Sequence, residues 1–172
     1  MPLRLWRIVT GPHPVWSGEG ARLFGQRWNP PGLPAIYTGQ SFAVCLIELF
    51  VHANRKSPPS GARCVEAVAP NDVSRETFSA AAHPGWDDLD DLKVAQAFGR
   101  DWLESRRSTL LIVPSVVTGG RDLNAVGIDP DVVVQDVDPA LVGQLDTDGQ
   151  LRKAVSIIQS RLGMTAVSPP PA

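Results

Sequence analysis

The sequence predicts a single domain of the α+β class. Its length and composition indicate one globular domain, and the order of its strand and helix patterns indicates the class. The 172 residues fit one domain, and 43% hydrophobic against 20% charged residues is the balance of a globular chain. Fifteen glycines and sixteen prolines predict a fold rich in turns. Strand and helix patterns mix without a regular βαβ rhythm. This order favours mixed or antiparallel strands with flanking helices over a doubly wound parallel sheet.

The N-terminal part of the chain is expected to contain two strands and a helix. Residues 3–9 have a strand pattern, and the segment rich in proline and glycine after them predicts a loop. A short extended piece is expected around residues 24–29, followed by a buried strand at 35–38. The hydroxyl of Ser41 is placed to cap a helix that runs from residue 42 to about residue 53.

The remainder of the chain is expected to add three strands and two helices. Strands are predicted at 63–68, 110–113 and 132–137, with a charged, loop-like segment after the first of them. Acidic residues 87–91 precede apolar positions with helical spacing, which predicts a helix around 92–102. A second apolar stripe at helical spacing consists of Leu151, Val155, Ile158 and Leu162.

One domain is expected over residues 1–165, followed by a disordered, proline-rich tail at 166–172. A formal net charge of −2 argues against a generally basic nucleic-acid-binding surface. Cys45 and Cys64 cannot build a disulfide framework or a thiolate zinc site, and the three histidines are dispersed, so no metal is expected. Without signal-peptide features, and with its longest apolar stretch at 42–51, the chain is expected to be cytoplasmic without a membrane partner.

Motifs of several large enzyme classes do not fit the sequence. The glycine-rich segment 17–25 has Leu23 where a dinucleotide fingerprint needs glycine, and it does not end in the Lys-Ser/Thr of a P-loop. Ser115 does not lie in a nucleophile elbow. A Rossmann dehydrogenase, a metalloenzyme and a serine hydrolase are therefore poorly supported.

Glu48 is the most informative candidate because it interrupts an otherwise apolar helical segment. The pattern fits a stripe that faces water as well as a carboxylate at the floor of a cleft, tuned by burial and a nearby cation. Arg27 precedes a rigid Pro-Pro-Gly turn and offers a planar fork for phosphate, or it is a surface arginine packed on Trp28. Alone, Tyr37 fits a core aromatic residue and Ser115 a hydroxyl at a strand end.

Taken in order, these segments resemble the RES domain family, which is named after an arginine, a glutamate and a serine. The blocks that carry the resemblance are Leu5-Trp-Arg-Ile-Val9, Gly18-Glu-Gly-Ala-Arg22, Gly25-Gln-Arg-Trp-Asn-Pro-Pro-Gly32, Ala35-Ile-Tyr-Thr38, Ser41 with the Glu48 helix, and Leu110-Leu-Ile-Val-Pro-Ser115. The resemblance covers residues 3–138 and implies an α+β fold similar to ADP-ribosyltransferase toxins, with a central cleft between sheets. By match to the family motif, the expected active-site residues are Arg27, Tyr37, Glu48 and Ser115.

The resemblance implies the toxin of a bacterial type II toxin–antitoxin pair that degrades NAD. It implies cleavage of the nicotinamide–ribose bond with inorganic phosphate or water as acceptor, so that NAD is a substrate rather than a prosthetic group. It also implies an Xre-type antitoxin that covers the active site, contact with DNA only through that antitoxin, and a homodimer within a larger complex. Two alternatives stay open: an ADP-ribosyltransferase that acts on a macromolecule, and a catalytically impaired module that binds NAD or a partner.

Each expected site residue has a hypothetical role in breaking the glycosidic bond. Arg27 grips a cofactor phosphate or the incoming phosphate, and Tyr37 stacks on or orients the nicotinamide riboside. Glu48 bonds the ribose hydroxyls and stabilises the developing cation, while Ser115 positions the ribose or the acceptor. Further residues expected to bind the cofactor are Trp28, Asn29, Ser41 and Asn124.

One region departs from the family pattern. Many members carry an Asn-Pro-x-His-Pro stretch after the Pro-Ser step, whereas this chain has Asp129-Pro130 and no histidine between residues 121 and 131. Asn124 lies in this region and is expected to keep a polar contact there.

Overall fold

The computed structural model describes residues 2–10, 13–52, 61–121 and 123–127. A 3₁₀ turn at Ala80–Ala82 joins the fourth strand to the third helix. The other elements, in chain order, are β1 (Leu3–Val9), α1 (Glu19–Phe24), β2 (Ile36–Gly39), α2 (Phe42–His52), β3 (Arg63–Ala69), β4 (Arg75–Thr77), α3 (Lys93–Ser105), β5 (Leu110–Pro114) and β6 (Leu123–Gly127).

The described strands form one six-stranded sheet in the order β3-β1-β2-β6-β5-β4. All neighbouring strands run antiparallel except β4 and β5, which are parallel. The longest ladder pairs β1 with β3, from Leu3 opposite Ala69 to Val9 opposite Arg63. The predicted α+β class with a mixed sheet and flanking helices is confirmed.

Helices α2 and α3 lie on the same face of this sheet. Since side chains alternate along a strand, Tyr37 of β2 and its partner Val126 of β6 share one face. Leu111 and Val126 pack in one cluster with Ala95 and Trp102 of α3. Helix α2 contacts β1 and β2, and its Cys45 lies over Gly39, which is on the same face of β2 as Tyr37. The two helices therefore cover neighbouring parts of the sheet, α2 over β1 and β2 and α3 over β5 and β6.

The opposite face of the sheet is covered in part by the loop after β1. Leu5, Ile112 and Ala125 form a second buried cluster, against which Trp16 of that loop packs. Arg7 holds the loop in place by donating hydrogen bonds to three backbone carbonyls, those of Val15 (2.8 Å), Ser17 (2.8 Å) and Tyr37 (2.9 Å). Burial lowers the pKa of the Arg7 guanidinium to about 10. Arg7 thus ties β2 to the loop on the far side of the sheet.

Most predicted elements in the described residues are present: β1 has the predicted bounds, and the ends of the others lie within three residues of the prediction. The clearest case is α2, where the Ser41 Oγ accepts the backbone N–H of Val44 at 3.2 Å, as expected of a helix cap. The extended piece expected at 24–29 is reduced to one bridge between Gln26 and Asn29. The strand predicted at 132–137, the stripe from Leu151 to Leu162 and the tail at 166–172 lie outside the described residues.

Three elements were missed. Helix α1 forms in a segment predicted to be a loop because of its glycines, and the Glu19 carboxylate pairs with Arg22 one turn later. Strand β4 has three residues and no alternating pattern, and it forms because it pairs with β5. Strand β6 contains Asn124 and Gly127, residue types that are depleted in strands, and it is stabilised by pairing on both sides.

Candidate active site

The Glu48 carboxylate on α2 is the centre of the candidate site. Its Oε1 accepts a hydrogen bond from the Ser115 hydroxyl at 2.7 Å and another from the Asn124 side-chain amide at 3.0 Å. Ser115 is almost fully buried, with 1% of its surface exposed, so its hydroxyl is committed to the protein interior. Both donors are neutral, so they orient the carboxylate without placing an opposite charge on it.

The sheet places both donors under α2. Asn124 on β6 pairs with Gly39 of β2 on one side and with Val113 of β5 on the other. Ser115 directly follows β5. At Gly39, a Cβ atom would lie 2.8 Å from the Cys45 sulfur on α2 and 3.4 Å from Asn124 Oδ1. The absence of a side chain at Gly39 therefore lets the helix approach the sheet closely enough for Glu48 to reach both donors.

Arg27 supplies a positive charge beside Glu48. Its Nη1 donates to the backbone carbonyls of Trp86 at 2.9 Å and Asp88 at 2.8 Å. Desolvation lowers the pKa of the Arg27 guanidinium, while the negative charges of Glu48, Asp87 and Asp88 act in the opposite direction. The Arg27 and Glu48 charges are thus close enough to interact, and the guanidinium remains a cation at neutral pH.

Tyr37 uses its hydroxyl to hold the segment that carries Arg27. The Tyr37 hydroxyl donates to Asn29 Oδ1 at 2.7 Å and accepts the backbone N–H of Trp28 at 3.0 Å. Burial raises the pKa of this hydroxyl well above its ordinary value, so Tyr37 stays neutral. The Asn29 amide is fully buried and donates to the carbonyls of Ala21 at 2.8 Å and Leu33 at 2.9 Å. The hydroxyl and the amide therefore fix the turn after α1.

Trp28 belongs to the core rather than to an open wall. It is 3% exposed, and its ring packs edge-on to Phe78 and stacks with Trp86. Behind it, α3 approaches so closely that a Cβ on Gly99 would lie 1.8 Å from the Trp28 carbonyl oxygen. Trp28 and Asn29 are thus buried next to Arg27 in the sequence, and the contact of either with a ligand stays a prediction.

The structure therefore brings most predicted site residues into one region. Glu48 is in direct contact with Ser115 and Asn124. The Arg27 guanidinium is close enough for its charge to interact with that of Glu48. The Tyr37 hydroxyl accepts the backbone N–H of Trp28, the residue after Arg27. Ser41 caps α2, and its contact with a ligand stays a prediction.

Sequence reasoning missed the contributions of Gly39, Gly99 and the turn around Asp88. An isolated glycine inside a helix or strand pattern is the one local signal that could have pointed to the first two. The backbone carbonyls that accept from Arg27 cannot be recognised in the sequence, because every residue type has one.

This arrangement combines a fixed carboxylate with a cation in a partly desolvated site. Such a pair can bind an anionic group through the guanidinium and stabilise a positive charge that develops next to the carboxylate. Among the described residues, no three His, Cys, Asp or Glu side chains lie close enough together to hold a metal ion. In the same part of the chain, no helix has the length and hydropathy needed to cross a membrane.

Comparison with known families identifies the chain. Residues 4–148 match the model of the RES domain. The chain belongs to the RES domain family. The resemblance carried by the Arg-Trp-Asn-Pro-Pro-Gly block and the Glu48 helix is thereby confirmed.

The relatives of this RES domain are named as toxins or as an NAD(+) phosphorylase. The Prs ADP-ribosylating toxin of Sphingobium sp. (strain YBL2) is 36% identical over 124 residues, which cover 68% of this chain and 77% of that toxin. The Toxin Res of Yersinia enterocolitica is 30% identical over 118 residues, covering 67% of this chain and 77% of that protein. The NAD(+) phosphorylase MbcT of Mycobacterium tuberculosis is 57% identical over 42 residues, which cover 23% of each chain.

A solved structure shares the fold. The M. tuberculosis MbcT–MbcA toxin–antitoxin complex contains a chain that superimposes with a TM-score of 0.62 at 26% identity, covering 74% of each chain. This RES domain is thus related to an NAD(+) phosphorylase and to Res and Prs toxins.

Proposed function

We propose that this RES domain is a toxin that degrades NAD by cleaving the bond between nicotinamide and ribose, with inorganic phosphate or water as acceptor. The observation that carries the proposal is the Glu48 carboxylate, held by Ser115 and Asn124 and facing the charge of Arg27. The relationship to an NAD(+) phosphorylase supports NAD as the substrate. Phosphate as co-substrate is part of the proposal.

The reaction needs stabilisation of charge more than acid–base chemistry. The bond from ribose C1′ to the nicotinamide nitrogen breaks, and its electron pair neutralises the positive nitrogen of the leaving group. Ribose C1′ then carries positive charge, as in glycoside cleavage. An oxygen of phosphate or of water forms the new bond to C1′, and an attacking water releases its proton to solvent. A fixed negative charge near C1′ lowers the barrier because it is already oriented when the positive charge develops.

The proposed roles follow from the contacts. Glu48 stabilises the positive charge on the ribose and accepts hydrogen bonds from its hydroxyls, because a carboxylate is an acceptor through both of its oxygens. Arg27 binds a phosphate of NAD or the incoming phosphate. Tyr37 orders the Arg27 segment through its hydroxyl, and its ring lines the site for the nicotinamide riboside. Ser115 therefore acts on the ribose through Glu48.

The proposal is tested by following nicotinamide release from NAD by the purified chain, with and without inorganic phosphate. Glu48→Gln keeps a carbonyl oxygen for both donors and removes the charge. We expect release to fall by about 10²-fold or more. Glu104→Gln is the matched control, because Glu104 is an exposed residue of α3. Arg27→Ala should abolish phosphate-dependent release, and Arg100→Ala, which is also exposed on α3, should leave it unchanged.

The outcomes of this assay separate the acceptors. Release that requires phosphate identifies phosphorolysis, and release independent of phosphate identifies water or another acceptor. Unchanged turnover in folded Glu48→Gln would remove Glu48 from the mechanism. No release from the folded wild-type chain would refute the proposal and favour the NAD- or partner-binding module instead.

A second candidate function is transfer of ADP-ribose to a macromolecule. It is favoured by the similarity to the Prs ADP-ribosylating toxin, which extends over 124 residues, against 42 for the NAD(+) phosphorylase. The same charged pair would serve this reaction, because only the acceptor differs. Incubation of NAD labelled in its adenylate phosphate with host-cell extract distinguishes the two functions. Label on protein or nucleic acid supports transfer, and label confined to small products supports degradation.

An antitoxin is the proposed partner of the chain. The structural relative is a toxin bound to its antitoxin, which supports a partner of this kind here. An Xre-type antitoxin over the site, DNA contact through it alone, and a homodimer within the complex are further parts of the proposal. Co-expression with the protein encoded beside this chain, followed by measurement of complex mass and nicotinamide release, tests them together.

A further inference from the structure

A turn formed by residues 85–91, here named the Asp88 turn, holds the side chain of Arg27. Arg27 Nη1 donates to the carbonyl oxygens of Trp86 at 2.9 Å and of Asp88 at 2.8 Å. These acceptors lie about sixty residues away along the chain and carry no net charge. They therefore orient the guanidinium and leave its positive charge in place, whereas an ion pair with a carboxylate would neutralise it.

The Asp88 turn is itself fixed at both ends. Trp86 is 9% exposed and packs in the main core against Trp28 and Phe78. After it, the Asp88 carboxylate accepts the backbone N–H groups of Asp90 at 2.8 Å and Asp91 at 3.0 Å through the same oxygen, Oδ1. Such bonds from an Asp side chain to its own following backbone define a tight local turn. The carbonyls that Arg27 meets are thereby held in place.

The Asp88 side chain has two opposing effects on an anion bound at Arg27. Its negative charge interacts with the guanidinium and reduces the attraction for a second anion. Its hydrogen bonds to the turn, in contrast, keep the Arg27 acceptors in position and so favour binding. The two effects can be separated, because asparagine keeps the accepting oxygen and loses the charge, whereas alanine loses both.

We propose that the Asp88 turn is a positioning element that sets Arg27 beside Glu48 for the anionic part of the substrate. This inference rests on the proposed function and deepens it by assigning Asp88 a role through Arg27. Asp88 itself is exposed and touches neither Glu48 nor its two hydrogen-bond donors in the described contacts. It is therefore a positioning residue and not a catalytic one.

The first test measures kcat and KM for NAD and for inorganic phosphate in the full chain. Asp88→Ala should raise the KM of the anion that Arg27 binds by about three- to tenfold and leave kcat within about twofold. Asp88→Asn should restore a KM at or below that of the wild type, because the turn is kept and a negative charge is removed. Asp90→Ala is the matched control, since it removes an equally exposed carboxylate and leaves the backbone N–H that Asp88 accepts.

The second test does not depend on activity. Nuclear magnetic resonance relaxation of the Arg27 Nε–H group reports how rigidly the side chain is held. We expect increased motion in Asp88→Ala, with Asp88→Asn and Asp90→Ala close to the wild type. If the wild-type chain released no nicotinamide, the proposed function would fail, and this measurement would still decide whether the turn positions Arg27.

Several results would overturn the inference. Equal KM values in Asp88→Ala and the wild type would show that the turn does not matter for binding. An equal rise of KM in Asp88→Ala and Asp88→Asn would show that the oxygen kept by asparagine does not support binding, contrary to the proposed role of the turn. A fall in kcat at constant KM would place Asp88 in the chemical step. Asp88→Ser, which keeps a shorter acceptor, provides an intermediate variant should Asp88→Ala fold poorly.

Discussion

Gly99 controls how closely α3 packs on the segment that carries Arg27, and its substitution by alanine tests this packing. A Cβ on Gly99 would lie 1.8 Å from the carbonyl oxygen of Trp28 and 2.6 Å from its carbonyl carbon. An ordinary contact needs about 3.4 Å, so α3 and the Trp28 backbone must separate by about 1.6 Å. Both sides are backbone, and neither can move aside as a flexible side chain would.

The expected cost follows from two opposing contributions. Overpacking of a core costs about 1–3 kcal/mol and more where backbone must move. Alanine gains about 1 kcal/mol over glycine in a helix interior. Because both sides of this contact are backbone, the upper end of the overpacking cost applies, and we expect Gly99→Ala to lose about 2 kcal/mol of unfolding free energy, which for a chain of this size lowers Tm by about 4–8 °C. Nicotinamide release should fall as well, because Arg27 precedes Trp28 directly.

Gly20 in α1 provides the matched control, since a Cβ there has no heavy atom within 4 Å. Gly20→Ala should be neutral or stabilise the chain by about 0.5–1 kcal/mol. Urea unfolding of both variants, followed by circular dichroism, gives the comparison. If Gly99→Ala were as stable as Gly20→Ala, the close packing of α3 on Trp28 would be refuted.

Three further predictions concern the site. Tyr37→Phe should cost about 2–4 kcal/mol in urea unfolding, because it leaves two buried hydrogen-bonding groups without their partner. Lost activity at unchanged stability would instead mean that the Tyr37 hydroxyl acts on the ligand. Ser115→Ala and Asn124→Ala should each lower kcat about tenfold. In the double variant kcat should fall by less than the product of the two single reductions, because both donors orient the same Glu48 oxygen. A reduction equal to that product would show that the two donors act independently. Burial raises the pKa of the Cys45 thiol to about 12. Iodoacetamide should therefore label Cys45 at pH 8.5 at least about 10²-fold more slowly in the folded than in the urea-unfolded chain, as followed by peptide mass spectrometry, and equal rates would contradict the raised pKa of the thiol.

Much of the fold near the site could be predicted because its signals are local. The apolar run of α2, its Ser41 cap and the short buried strand around Tyr37 depend on neighbouring residues in the sequence. Strand β6 could not be predicted in the same way, because its stability comes from partners on both sides rather than from its own residue types.

The identities of the central site residues were accessible, but their contacts were not. Glu48 stood out because a carboxylate inside an apolar helix is unusual. Asn29 is expected to contact the ligand and this stays a prediction, while the structure shows its amide bonded to backbone carbonyls and the Tyr37 hydroxyl, partners that the sequence did not reveal. Whether a polar group faces a ligand or the interior depends on the tertiary fold, which local sequence does not encode.

The hydrogen bonds around Glu48 also have a consequence for synthesis of the chain on the ribosome. Its two donors follow it by 67 and 76 residues, and both belong to the last described strands or the loop between them. During synthesis α2 leaves the ribosome before either donor does. Both hydrogen bonds to Glu48 can therefore form only after β6 has also emerged and paired with its neighbouring strands. A product that ends before Asn124 lacks β6 and the donor that it carries, so Glu48 cannot take up the orientation that Ser115 and Asn124 give it together.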